Sequence, residues 1–240
     1  MDSRITVTEV RAGRGAGWLG GGFALFRARP LVWISLCAGW MVITLGLLVV
    51  PFVGGVVANF LQPVFFASFA IAARRQLDGE QVEMSELFAG FRTNVRALVN
   101  IGALMLIAEI AIFALMALLG FPTTLATVGD AAPTIADYAR NLQGKEWIIL
   151  VGLVLTVIVK GAFWFAPPLI AFLGLSSGDA IRWSVYAALS NFGALAVYGV
   201  SLAALFFVAL VPWGLGLFVA IPMMVASTYI GYRDVFEKNP

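Results

Sequence analysis

Six stretches of this chain are apolar over enough residues to cross a bilayer as helices, and that leaves few other ways for it to fold. A helix needs about 20 apolar residues to span a hydrocarbon core roughly 30 Å thick. Such runs cover positions 31–50, 56–73, 97–120 and 147–173, with a fifth ending at Val211 and a sixth near Tyr232. With 61% hydrophobic and 12% charged residues, polar side chains are too few to coat a water-soluble body of this length. The ten-residue alternation of barrel strands is missing, so the expected class is an all-α integral membrane protein with six spans in a single membrane domain, 1–240.

The runs are organised by an internal repeat. Pro63, Ala67 and Ser68 lead to Arg74 and Arg75; Pro222, Ala226 and Ser227 lead to Arg233. A weaker echo, Pro167, Pro168 and Ala171, runs to Gly178 and Asp179. Each unit reads as an amphipathic surface helix, a span, a turn and a returning span that carries proline. The units cover about 14–79, 83–176 and 177–236. All three start on the same side, as in parallel repeats about an axis along the membrane normal. The middle unit departs through its long connecting loop and doubled proline.

The surface helices rest on three patterns. Trp18 to Phe26 is an apolar patch between arginines, read as an interfacial helix rather than a cleaved signal peptide. Met84, Leu87, Phe88, Phe91 and Val95 recur at helical spacing beside Arg92 and Arg96, with Ser85 and Glu86 placed to start a helix. Ser177, Gly178 and Asp179 open a third, with Ile181, Val185, Ala188, Leu189 and Phe192 on one face. Gly15, Gly17 and Gly20 match a dinucleotide-binding fingerprint, but no strand precedes them and a span follows, so the match is rejected.

Basic residues set the orientation. With both termini cytoplasmic, the inner segments hold Arg4, Arg11, Arg14, Arg27, Arg29, Arg74, Arg75, Arg92, Arg96, Arg182, Arg233 and Lys238. Only Arg140 and Lys145 fall outside, an asymmetry that obeys the positive-inside rule. It also accounts for the pI near 8.9 without nucleic acid.

The remaining cation, Lys160, lies inside the fourth run, and Glu109 lies inside the third. At about 1.5 Å per residue both come near the midplane of adjacent antiparallel helices. An ion pair that fixes helix register is the plainer reading; a relay or a substrate counter-charge is the alternative. Asn59, Gln62, Asn100 and Asn191 read as hydrogen-bonding glue between helices, the alternative being ligand contact. Pro63, Pro167, Pro168 and Pro222 read as kinks, the alternative being a cavity lined by the carbonyls they release. Several tryptophans, among them Trp33, Trp147, Trp183 and Trp213, sit near run ends, where indoles favour the interface.

Catalytic chemistry finds little footing. The chain has no histidine, which removes imidazole acid–base chemistry, His triads and His-based metal sites together. Its one cysteine, Cys37, lies in the first run and reads as a packing residue. Neither a phosphate-binding G-K-[ST] loop nor an H-E-x-x-H helix occurs, and Asp130 and Asp137 are too isolated to act as a carboxylate pair. No cofactor or metal is expected.

Four segments then carry a resemblance: Trp18 to Phe26 followed by Arg29, Pro30 and Leu31; Asp78-Gly79 ahead of Leu87-Phe88; Phe165-Ala166-Pro167; and the terminal Tyr229 to Phe236. They resemble a family of six-span inner-membrane proteins of proteobacteria, and are distantly similar to the membrane domains attached to some glycerophosphodiester phosphodiesterases. The resemblance implies a bacterial inner-membrane location. It brings no catalytic or binding residues, and the phosphodiesterase activity is not carried over.

The expected function is therefore non-enzymatic: a lipid-interacting or scaffold role in the envelope, with membrane lipids, another membrane protein or a second copy as partners. The competing expectation is a small transporter or channel using the middle repeat, with Glu109 and Lys160. A water-filled cavity at those two residues points to transport. An apolar groove facing lipid points to binding.

Overall fold

The computed structural model describes residues 5–122 and 140–237. Arg4, Asp130, Pro133, Asp137 and Lys238 lie outside them. Every regular element among the described residues is helical. In chain order these are α1 (Arg14–Ala28), α2 (Pro30–Leu48), α3 (Val53–Leu77), a 3-10 helix (Met84–Arg92), α4 (Val95–Leu118), α5 (Glu146–Ala162), α6 (Ala166–Leu173), α7 (Ser177–Ser190), α8 (Phe192–Leu210) and α9 (Leu217–Phe236).

Five segments are long and apolar enough to cross a membrane: α2, α3, α4, α5 taken with α6, and α8. The sixth expected run, α9, is not among them. Its second half carries Ser227, Thr228, Tyr229, Tyr232, Arg233 and Asp234, which dilute its hydropathy and are mostly buried in protein. The chain divides into two compact units, one of residues 1–103 and 161–240, the other of residues 104–160.

The first unit is built on α9, which buries an almost unbroken run from Val225 to Tyr232. Its nearest neighbour is α1. The two come backbone to backbone because α1 places glycine where they touch: a Cβ on Gly22 would fall on the carbonyl oxygen of Met223 and 2.9 Å from the Cβ of Ser227. Gly15 does the same against the carbonyl of Ala194 in α8. In lipid, where apolar side chains gain little by leaving their surroundings, such close approach is a main source of helix cohesion. Gly17 and Gly20, the other members of the rejected fingerprint, face open space.

The patch from Trp18 to Phe26 was expected to lie on the membrane surface. In the structure its Trp18, Leu19, Leu25 and Phe26 are buried in the first unit. The Trp18 ring stands edge-on to Phe165 and tilted against Tyr198, with centroids 6.4 and 5.9 Å away. Its indole N–H donates to Asp234 Oδ2 at 2.9 Å. Arg14 grips the same carboxylate with two bonds, 2.8 and 2.5 Å long. The other end of α1 is held by Gln76 of α3, which donates to the Leu25 carbonyl at 2.9 Å and accepts from Trp33 Nε1 at 2.8 Å. Trp33 is accordingly fully buried in the protein, whereas Trp213 and Trp147 are exposed.

The 84–92 segment is a 3-10 helix, not an α-helix, and it ends before α4 begins. Glu86 does not cap it. The side chain is buried and ion-paired with Arg75, which draws the segment onto α3. The fourth expected run is also broken, at residues 163–165. Proline in a helix interior removes a donor and clashes with the carbonyl four residues back. Here Pro167 and Pro168 instead occupy the first turn of α6, where missing N–H groups are harmless. The Phe163 carbonyl accepts from the N–H of Ala166 at 3.1 Å, and the Phe165 N–H donates to Ser184 Oγ at 3.0 Å. The irregular backbone is thus satisfied inside the protein.

The α2–α3 and α8–α9 turns each raise an aromatic side chain, Phe52 and Trp213, both 97% exposed and both at positive φ. Phe52 sits at the centre of a tight three-residue turn closed by the Val53 N–H on the Pro51 carbonyl at 2.7 Å, a rare and strained conformation.

Two predictions test this packing. Gly22→Ala places a methyl on the α9 backbone and is expected to destabilise the protein by on the order of 1–3 kcal/mol. Gly20→Ala meets nothing and is expected to be neutral or to stabilise by up to about 1 kcal/mol; thermal unfolding in detergent measures both. The second concerns Asp234. Burial alone raises its carboxyl pKa, but the bonds from Arg14 and Trp18 and the charges of Arg14 and Arg233 prevail, so it lies below the ordinary value. A carboxylate with a depressed folded-state pKa contributes stability that is present above the unfolded value, near 4, and lost as pH falls through the folded one. Asp234→Asn is expected to lower the unfolding midpoint at pH 7, with the gap to wild type closing below about pH 4; an equal gap at both pH values rules this out.

Candidate functional site

The second unit contains the intramembrane charges. Lys160 Nζ donates to Glu109 Oε1 at 2.5 Å, linking α5 to α4. Further along the same hairpin, Gly152 of α5 faces the thioether of Met116. The two contacts are seven residues apart on α4 and eight apart on α5, so they lie about two turns apart along the hairpin. Thr156, between them, turns its hydroxyl onto the Gly152 carbonyl at 2.8 Å and adds no further polar group to the seam. The charges are not fully enclosed: 39% of the Lys160 side chain and 31% of that of Glu109 remain exposed. A cation and an anion this close neutralise each other locally, which lowers the expense of holding them at depth in hydrocarbon.

The prolines are distributed differently. Pro63 and Pro222 are inside α3 and α9. Pro63 leaves the Asn59 carbonyl without its helical donor, and Gly102 of α4 packs on that point, where a Cβ would sit 2.6 Å from the oxygen. The released carbonyl is covered by a helix and lines no cavity there. The serines that follow these prolines in the sequence repeat are both buried and both bridge to a neighbouring element. Ser68 Oγ accepts from the Gly90 N–H at 2.8 Å, and Ser227 Oγ pairs with the Tyr198 hydroxyl at 2.8 Å.

The polar side chains expected to join helices behave in two ways. Asn59 bonds its own helix, at the Gly55 carbonyl. Asn191, at the α7–α8 junction, clamps the extended N-terminal arm: its Oδ1 accepts from the Val10 N–H at 2.8 Å and its Nδ2 donates to the Thr8 carbonyl at 3.2 Å. Sequence spacing gave no sign of that partner, since the two ends of the bond are 181 residues apart.

Pro222 belongs to a feature that the sequence did not reveal. Between α2 and the start of α9 lies an open groove of about 320 Å³, within the range of small-ligand sites. On one side it is lined by Cys37, Met41 and Leu45, and on the other by Leu217, Ile221 and Pro222. Neither wall carries a charge. Cys37, buried in the first run as expected, contributes a soft apolar surface here.

A probable inner membrane protein of Burkholderia thailandensis is 30% identical over 230 residues, covering 94% of this chain and 84% of that protein. The chain belongs to the family of that protein. Family membership and the five membrane-capable helices together make it a multi-pass helical protein of the inner membrane. No family model and no solved structure matches it. The α2 wall of the groove, Pro63 and the Glu109–Lys160 pair fall on membrane-capable segments, whereas the opposite wall belongs to α9, which is not among them.

The ion pair generates a direct test. Glu109→Lys alone or Lys160→Glu alone leaves two like charges facing each other and is expected to lower the yield of folded protein, while the double exchange recovers it. Size-exclusion chromatography of the four forms measures this, and a double variant no better than the singles dissociates the two residues.

Proposed function

We propose that this protein acts by binding and carries no enzymatic chemistry: a lipid-interacting or complex-forming protein of the bacterial envelope. In this reading α9 is a sixth span. The spans form three hairpins, each preceded by a cytoplasmic helical segment, and both termini are cytoplasmic. The observation that carries the reading is the uncharged groove between α2 and α9. A concavity with apolar walls on membrane-spanning helices suits a hydrocarbon chain, from a lipid or from a lipid-bearing partner, and offers a polar solute nothing to bond. The absence of histidine from the whole sequence supports the lack of catalysis.

The second reading, a small-solute or lipid transporter, is favoured by one observation: the Glu109 and Lys160 side chains keep part of their surface exposed. A pair that can be reached can in principle be opened by a charged substrate.

Native mass spectrometry of protein gently extracted from its own membrane distinguishes the two. Binding predicts a lipid species, or another protein, retained at fixed stoichiometry, and Ala38→Trp in the groove wall is expected to reduce lipid retention several-fold. A small polar ligand that is lost in Glu109→Gln or Lys160→Met overturns binding in favour of transport.

A further inference from the structure

The exposed face of α7 holds a second concavity, of about 260 Å³, lined by Arg182, Trp183, Val185, Tyr186 and Leu189. Arg182, Val185, Tyr186 and Leu189 fall at i, i+3, i+4 and i+7, one side of a helix, with buried Trp183 at its margin. Among the described residues Arg182 makes no ion pair. Asp179, one turn earlier, is engaged elsewhere: it receives the Ser176 hydroxyl at 2.7 Å and forms the helix cap with it. Ser177 reaches the Ala97 carbonyl at 3.3 Å, which brings exposed Arg96 to the same edge of the unit.

The order of side chains along this face carries the argument. Arg182 is exposed; Tyr186 is half exposed; Leu189 and Phe192 are each 71% exposed. Only Asn191 separates α7 from α8, one of the membrane-capable helices, so Phe192 stands at the mouth of a span. The face therefore runs from a cation, through an aromatic hydroxyl, to bare hydrocarbon. Arg182 to Leu189 covers roughly 10 Å of helix, comparable with the headgroup depth of about 5–8 Å per leaflet over which a phospholipid passes from phosphodiester to acyl chain. A phospholipid presents the complementary sequence: an anionic phosphodiester, a glycerol ester region and an acyl chain.

We infer that the α7 face is a binding site for an anionic phospholipid of the leaflet it borders, with the phosphodiester on Arg182, the ester region beside Tyr186 and an acyl chain along Val185, Leu189 and Phe192. The inference shares with the proposed function only that the protein binds lipid; the surface is separate from the α2–α9 groove. Arginine suits this position because its planar fork presents several donors to phosphate oxygens and stays charged at all relevant pH values.

The test uses the full chain in a neutral detergent, offered phosphatidylglycerol and phosphatidylcholine with identical chains, and reads retained lipid by native mass spectrometry. Wild type is expected to hold the anionic lipid about fivefold over the zwitterionic one, the scale of one basic residue at an anionic surface. Arg182→Glu is expected to abolish that preference. Arg27→Glu on α1 changes net charge equally and is expected to leave it intact. A preference that survives Arg182→Glu, or falls equally in both variants, overturns the site in favour of no selectivity or a diffuse basic rim. If Arg182→Glu does not fold, wild type is photolabelled with phosphatidylglycerol bearing a diazirine in its headgroup. Label on the peptide containing Trp183 and Tyr186 supports the site, and label confined to other segments overturns it. Ala38→Trp, which blocks the groove, leaves the phosphatidylglycerol preference unchanged, so failure at α7 is told apart from failure of the groove reading.

Discussion

The contact on which the first unit depends is the seating of α1 on α9. Burial of Trp18, Leu25 and Phe26 contributes to this seating. Close packing and hydrogen bonds, the main cohesion between helices of membrane proteins, reinforce it. The α1–α9 contact supplies both. Gly22 admits the α9 backbone, and at the polar end Asp234 collects three donors from Arg14 and Trp18. The aromatic cluster follows from the same seating. Phe165, Tyr198 and Phe236 surround Trp18 or its immediate neighbours, and Phe172 meets Tyr229 edge-on and Tyr232 at a tilt while Arg74 lies over its ring at 5.1 Å.

What the sequence made legible was governed by hydropathy and short-range periodicity. Five of the six apolar runs form membrane-capable helices close to their expected bounds, because length and apolar content decide that property directly. The position of Lys160 opposite Glu109 was legible too, from residue rise alone. Failures occur where a tertiary partner sets the outcome. The patch at Trp18 to Phe26 has the composition of an interfacial helix, and composition cannot tell lipid from protein as the apolar neighbour. Glu86 lies in the first turn of the 84–92 helix as its position suggests, but the segment is 3-10 rather than α and its buried ion pair with Arg75 had no local sign. The doubled proline reads as a kink, but two consecutive missing donors favour a helix start over a helix interior. Asn191 and the α2–α9 groove depend on residues far apart in sequence, so no local pattern announced them.

The similar stretches at Pro63 and Pro222 show how one local pattern can be used twice with different partners. Both prolines lie inside a helix, and both following serines are buried and bonded to a carbonyl of their own helix as well as to a neighbour. The neighbours differ: the backbone N–H of Gly90 in the first case, the phenol of Tyr198 in the second. A serine hydroxyl that accepts one bond and donates another can serve either partner without a change of residue. What the two settings share is the need to satisfy a polar group among tightly packed helices where no water is at hand.

Charge is sparse within the membrane-capable segments, and its placement there and on α7 separates two roles. Glu109 and Lys160 face each other in the second unit, so their mutual attraction is satisfied within the hairpin and leaves little net field to attract a ligand. Arg182, on α7, makes no ion pair among the described residues and stands beside an apolar face that runs to Phe192, where α8 begins. A paired charge at depth and an unpaired charge at the rim differ in what they leave undone. The first closes a seam between two helices of one chain. The second leaves its donors for a group outside the protein, which is what the inferred phospholipid site requires.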